Sequence, residues 1–191
     1  MLQYVHLRHA GVRILEIKNE WWEWSKTLLA AVIIAGMIRL FFFSPVVVDG
    51  TSMVPTLQDG DRMIVNKFQY KVTAPDRFDI VVFHVSERED YIKRVIGLPG
   101  ESVEFEDNQL YIDGEPVDEF FSDDDIVTED FTLFNLTGYE EVPEGHLFVM
   151  GDNREYSKDS RHIGPVPIDE IVGETPLIYW PVDDMKIIFK E

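Results

Sequence analysis

The sequence predicts a mostly β protein, an antiparallel β-sandwich or barrel-like domain preceded by one N-terminal apolar helix. Three observations carry that prediction. From Pro45 onward the chain is a series of short β-branched runs broken by turn dipeptides, few stretches show a helical period, and one long apolar segment stands upstream of them all. Setting aside that segment and the short tail before it leaves roughly 145 residues, enough for one globular domain with a real core.

Residues 1–23 form a tail, and before Thr27 the basic residues Arg8, Arg13, Lys18 and Lys26 outnumber Glu16, Glu20 and Glu23. Residues 24–43, from Trp24 to Phe43, are the apolar segment. As a helix, a stretch of about 20 residues spans about 30 Å, the thickness of the bilayer hydrocarbon, which predicts a transmembrane helix. Trp21, Trp22 and Trp24 cluster at its start, as an aromatic belt at the headgroups does. Arg39 lies about one turn from the far end, where its side chain snorkels to the interface. Basic residues are dense before the segment, and the next one after Arg39 is Arg62. The positive-inside rule therefore places the N-terminus in the cytoplasm and residues 44–191 outside. The segment is followed by Ser44, Pro45 and three valines, with no small-x-small site, so it reads as a retained anchor rather than a cleaved leader. The alternative is a buried core helix.

Past the segment, strands are predicted at Val46–Val48, Met63–Val65, Ile80–Phe83, Tyr91–Ile96, Leu110–Ile112, Leu147–Met150 and Leu177–Trp180. Asp59-Gly60, Pro99-Gly100, Asp107-Asn108, Asp113-Gly114 and Gly151-Asp152 supply the turns between them. Residues 118–144 are more acidic and less patterned, and read as an insertion or long loop. The run Ser122-Asp123-Asp124-Asp125, with Asp130, lacks the glycine and closing glutamate of a calcium loop and reads as a solvated acidic surface.

The net charge is −19, and residues 44–191 hold 12 Lys and Arg against 33 Asp and Glu. A surface so acidic does not suit a phosphate backbone, and nucleic acid is excluded as a partner. Cysteine is absent, which removes disulfides, thiolate metal sites and a cysteine nucleophile. No metal or other cofactor is predicted.

Two residues just outside the apolar segment suggest chemistry. Ser52 stands in Gly50-Thr51-Ser52-Met53-Val54-Pro55, and Lys93 in Tyr91-Ile92-Lys93-Arg94-Val95-Ile96. Serine needs a neighbouring base to become a nucleophile, and a lysine serves if its surroundings keep it neutral. Strand alternation puts Lys93 on the face of Tyr91 and Val95, with Arg94 on the other face. Desolvation there by about two pKa units is worth about 2.7 kcal/mol and leaves a useful neutral fraction near pH 8. The plain alternatives are a turn serine and a strand lysine whose ammonium reaches water.

Five blocks in order resemble the type I signal peptidases, the membrane-bound serine proteases that remove signal peptides from exported proteins. They are Gly50–Leu57, Gly60–Lys67, Asp79–Phe83, Tyr91–Glu101 and Gly151–Arg161. The resemblance implies Ser52 as nucleophile, Lys93 as general base, and Ser157 as a hydrogen-bond partner that orients the lysine without adding charge. It also implies a charge-balanced support made of Asp152, Arg154, Asp159, Arg161 and Arg94. The backbone N–H of Ser52 is implied as one oxyanion donor. Where some members place a serine two residues before the nucleophile, this chain has Gly50, which leaves the second donor open. The implied substrate is an extended signal-peptide end with small side chains at the first and third positions before the cut. By motif position Val46, Val48, Met53, Leu57, Val82, Tyr91 and Ile92 are candidate pocket residues, with core packing as their alternative. The implied partners are signal peptides of preproteins, the lipid bilayer and the export translocon. A single span resembles the short form common in Gram-positive bacteria.

Three other readings compete. A self-cleaving repressor would need a DNA-binding domain for which the chain has no room. A histidine-based hydrolase would use His84, His146 or His162, none in a nucleophile-elbow setting. A membrane-tethered, non-enzymatic acidic β module would keep its activity without Ser52 or Lys93.

Overall fold

The computed structural model describes residues 6–87, 89–119, 121 and 126–187; within these, the side chains of residues 6–20, 40, 41, 71, 176 and 184 are not described. Two compact units are present, Met1–Phe41 and Phe42–Glu191.

The first unit is helix α1 (His6–Phe41). Its sequence has no proline and is rich in Leu, Ala and Ile, and Arg39 in the last turn suits the negative end of the helix dipole. Among the described residues no helix is long and apolar enough to cross a membrane. Of the apolar segment 24–43 read from the sequence, the side chains of Leu40 and Phe41 lie outside the described residues.

The second unit is β-rich, and every described strand pairing is antiparallel. In chain order it runs β1 (Phe43–Val47), β2 (Arg62–Asn66), α2 (Gln69–Val72), β3 (Ile80–Ser86), β4 (Glu89–Gly97), β5 (Val103–Glu106), β6 (Gln109–Ile112), β7 (Glu115–Val117), β8 (Phe131–Thr132), α3 (Leu133–Thr137), β9 (His146–Met150), α4 (Ser160–Ile163), β10 (Val166–Pro167), β11 (Ile171–Trp180) and β12 (Lys186–Ile187). The large sheet has the order β1-β2-β11-β3-β4-β9-β10, with β12 on β11; a four-stranded sheet has the order β7-β6-β5-β8.

Turn chemistry fixes the small sheet. Asp107 and Asn108 both have positive φ (52° and 63°), the geometry of the tight turn that matches strand twist, and they join β5 to β6. Its inner face packs Val103, Phe105, Leu110 and Ile112 against Ile96, Phe148 and Met150 of the large sheet. The region read as an acidic insertion adds to this core: Phe131, Leu133 and Val142 are buried in it, and only its earlier part carries the charge-rich run, of which residues 122–125 lie outside the described residues. A second cluster, Val48, Met53, Leu57, Met63, Ile80 and Ile178, lies under the Gly50–Leu57 turn. A third, Val81, Phe83, Val95, Leu147, Val149 and Val166, lies along β3, β4 and β9.

Candidate active site

Strand β4 is the central positioning element. It pairs with β3 through Val81↔Lys93 and Ile80↔Arg94, and with β9 through Arg94↔Met150 and Val95↔Val149. Paired on both sides over this stretch, it holds Lys93 and Arg94 on opposite faces, as the alternation predicts. Lys93 is 3% exposed. Its Nζ donates to Ser52 Oγ at 2.8 Å and to the Ile92 carbonyl at 2.8 Å, and lies 5.0 Å from the centre of the Tyr91 ring. Burial pushes the amine from its ordinary 10.5 down to about 8, against the opposing pull of the Asp159 and Asp152 carboxylates.

Ser52 sits in the turn between β1 and β2. The Gly50 N–H donates to Asp59 Oδ1 at 2.8 Å, and Val48 and Gly60 close the base of the loop through backbone hydrogen bonds. Gly50 has φ +99°, a conformation that strains any residue with a Cβ. Glycine leaves no hydroxyl there to serve an oxyanion.

The loop after β9 braces the Ser52 turn. Asn153 N donates to the Ser52 carbonyl at 3.1 Å and Asn153 Nδ2 to the Thr51 carbonyl at 3.0 Å. Gly151 is pressed so closely that a Cβ there would collide with Ser157 Oγ and the Ser52 carbonyl oxygen. Behind the loop, three ion pairs cross-link the site. Arg94, 1% exposed, grips Asp152 with two hydrogen bonds, Nε to Oδ1 at 2.8 Å and Nη2 to Oδ2 at 2.6 Å. Arg161 grips Asp159 likewise, at 2.9 Å for each bond. Arg154 pairs with Glu119 and donates to Thr128 Oγ1 at 2.8 Å and to the Gly151 carbonyl at 3.2 Å. Burial alone would raise the Asp159 carboxyl; the hydrogen bond and charge of Arg161, with the Gly151 N–H, more than offset it and hold it below its ordinary value. Burial raises Glu119 despite Arg154.

Ser157 is buried, but the hydrogen bond to Lys93 that the family resemblance implies is not formed. Its Oγ lies against Gly151 and faces Asp159, whose charged form it favours. The lysine amine is already engaged by Ser52 and the Ile92 carbonyl.

A cleft of about 480 Å³ opens beside the pair. Six of the seven candidate pocket residues line it: Val46, Val48, Met53, Val82, Tyr91 and Ile92. Leu57 does not; it is fully buried in the cluster beneath the turn. Tyr156 and Lys158, outside the sequence-based candidates, also line the cleft, as does Asp90, held by His84 at 2.6 Å. Nothing in the sequence marks out the Glu119–Arg154 pair, because Glu119 looks like any other acid of an acidic stretch.

Residues 21–180 match the family model described as signal peptidase, peptidase S26. The chain is 46% identical over 181 residues to signal peptidase I of Bacillus caldolyticus, covering 91% of this chain and 97% of that one. It is 36% identical over 184 residues to signal peptidase IB of Staphylococcus aureus strain MRSA252, covering 91% and 96%. Among solved structures, a signal peptidase I from Enterococcus faecalis V583 is 42% identical, covers 53% of this chain and 97% of its own, and aligns with a TM-score of 0.48. The chain belongs to the signal peptidase family, peptidase S26, in its type I form of Gram-positive kind.

Proposed function

We propose that the protein is a membrane-anchored serine endopeptidase that removes signal peptides from exported preproteins, with Ser52 as nucleophile and Lys93 as general base. The observation that carries this reading is the buried Lys93 Nζ at 2.8 Å from Ser52 Oγ. A neutral amine there gives one N–H to the Ile92 carbonyl and turns its lone pair to the Ser52 hydroxyl proton. Ser52 Oγ forms a bond to the scissile carbonyl carbon as Lys93 takes the hydroxyl proton. Collapse of the tetrahedral intermediate breaks the C–N bond, and the lysine ammonium returns the proton to the leaving amine. Water then attacks the ester, giving a proton to Lys93, and the signal-peptide carboxylate leaves as Ser52 regains its hydrogen. The Ser52 N–H faces the developing oxyanion. Asp152, Asp159, Arg94, Arg154 and Arg161 hold the loop that supports the pair, and Ser157 fills the space between Gly151 and Asp159.

In the cleft, the substrate lies extended along β1 and β4, and Val46, Val48, Met53, Val82, Tyr91 and Ile92 select small side chains. Residues 24–43 anchor the protein with its N-terminus in the cytoplasm and residues 44–191 outside. Two features support the anchor. In α1, Leu28, Leu29, Val32, Ile33, Ile34 and Met37 are all exposed and spread over much of the helix circumference, which suits lipid. In the second unit Phe42, Phe43, Val47, Phe68 and Trp180 are exposed just before and on β1, on the segment after β2 and at the end of β11, surfaces suited to the bilayer interface.

The test is to incubate the detergent-solubilised protein with a preprotein bearing an Ala-x-Ala site and to sequence the new N-terminus. Cleavage after the second alanine, absent in Ser52→Ala and Lys93→Met, is the expected result. Equal cleavage by either variant would sink the mechanism.

A further inference from the structure

The geometry points to Asn153 as a positioning residue that aims and polarises the backbone N–H of Ser52 at the oxyanion, an inference that rests on the Ser52 and Lys93 reading above. Both carbonyls flanking Ser52 are held by this one residue: Asn153 Nδ2 donates to the Thr51 oxygen at 3.0 Å and Asn153 N to the Ser52 oxygen at 3.1 Å. The first contact matters most. In a trans peptide the carbonyl of Thr51 and the N–H of Ser52 are parts of one rigid plane and point in opposite directions. Pulling the Thr51 oxygen toward Asn153 therefore fixes the N–H of Ser52 away from it. That N–H has no acceptor among the described residues.

A hydrogen bond accepted by a peptide carbonyl also strengthens the N–H of the same peptide as a donor. The Thr51 oxygen accepts two, from Asn153 Nδ2 and, at 3.2 Å, from the Val54 N–H that closes the turn. The turn bond belongs to the loop's own fold; the Asn153 bond reaches across from the loop after β9. The side chain is held in place from its other end, where Asn153 Oδ1 accepts the Tyr156 N–H at 3.3 Å. With Gly50 unable to supply a hydroxyl, the quality of the Ser52 N–H carries more of the burden of stabilising the oxyanion.

The test compares the full-length, detergent-solubilised wild type with Asn153→Ala, and with Asn153→Asp, which keeps the acceptor for Tyr156 but cannot donate to Thr51. Each is assayed for kcat, for KM, for the pH dependence of kcat/KM, and for affinity to two peptides spanning an Ala-x-Ala sequence. One peptide ends in an aldehyde, whose hemiacetal with Ser52 carries an oxyanion; the other ends in an amide and does not react. Asn153→Ala is expected to lose about tenfold in kcat and about tenfold in aldehyde affinity, less than the loss of a direct oxyanion donor. Its KM, its amide-peptide affinity and its acidic limb near that of wild type should stay. Asn153→Asp should lose aldehyde affinity as well. Unchanged kcat and aldehyde affinity in Asn153→Ala would overturn the inference. So would an equal loss for both peptides, which assigns Asn153 to substrate binding, or a shifted acidic limb, which assigns it to Lys93. Full cleavage by Ser52→Ala or Lys93→Met in the same assay would instead refute the underlying reading of the site.

Discussion

Replacing Lys93 with methionine should abolish cleavage and at the same time stabilise the fold near neutral pH. The amine is depressed from 10.5 to about 8 by burial, so holding it charged in the folded protein opposes folding by about 3 kcal/mol below the folded value. Methionine removes that opposition and keeps the apolar stem. It also removes the hydrogen bonds to Ser52 Oγ and the Ile92 carbonyl, each worth about 1 kcal/mol. The balance at about pH 6.5 is a gain of about 1 kcal/mol for the variant. The pH dependence has a definite sign. Between about 8 and 10.5 the unfolded lysine binds more proton than the folded one, so wild-type stability rises with pH through that window. By about pH 10 the opposition has fallen by some 2 to 3 kcal/mol, and the wild type should become the more stable of the two. Urea unfolding of the detergent-solubilised pair at both pH values measures this. A constant gap across the window, whatever its size, would refute the claim that burial of this amine sets its proton affinity.

Asp159→Asn removes a carboxylate that holds the Lys93 proton, so the acidic limb of kcat/KM should move below pH 8 in whatever fraction folds; a limb moving upward would contradict the electrostatics. Gly151→Ala should lower kcat by tenfold or more, because its Cβ would displace Ser157 and the Ser52 backbone, and steady-state kinetics with a folded-state control by circular dichroism reads this. Glu119→Gln leaves the buried Arg154 without its counter-charge and should cost about 3 kcal/mol in urea unfolding, with no such loss if the pair is solvated. Ile92→Ala, at the cleft wall, should admit a larger side chain beside the cut, measured as the ratio of kcat/KM for Val-bearing and Ala-bearing preproteins.

Much of the fold was legible because its signals are local. The predicted runs Met63–Val65, Ile80–Phe83 and Tyr91–Ile96 all fall inside β2, β3 and β4, and Asp107-Asn108 and Asp113-Gly114 make the hairpin turns that join β5, β6 and β7. Strand β5 is hard to read from the sequence although Val103, Glu104, Phe105 and Glu106 alternate buried and exposed, because a run of four carries little weight without its partner. Strands β8, β10 and β12 are two residues each and exist only through their pairing. Of the site, Ser52 and Lys93 stand out since a lysine between apolar strand residues is unusual. Long-range pairing was not legible: no spacing tells that Glu119 meets Arg154, that Ser157 turns to Gly151 rather than to the lysine, or that Leu57 lies beneath the cleft instead of lining it.

The central claim is an uncharged lysine beside a serine hydroxyl, and it is tested most directly by titrating that amine. Lysine labelled with carbon-13 at Cε, in the detergent-solubilised protein and with the Lys93 resonance assigned by its loss in Lys93→Met, reports the proton affinity of this one group by NMR. A midpoint near 8 is predicted. A midpoint near 10.5, the ordinary value for lysine, would contradict the account.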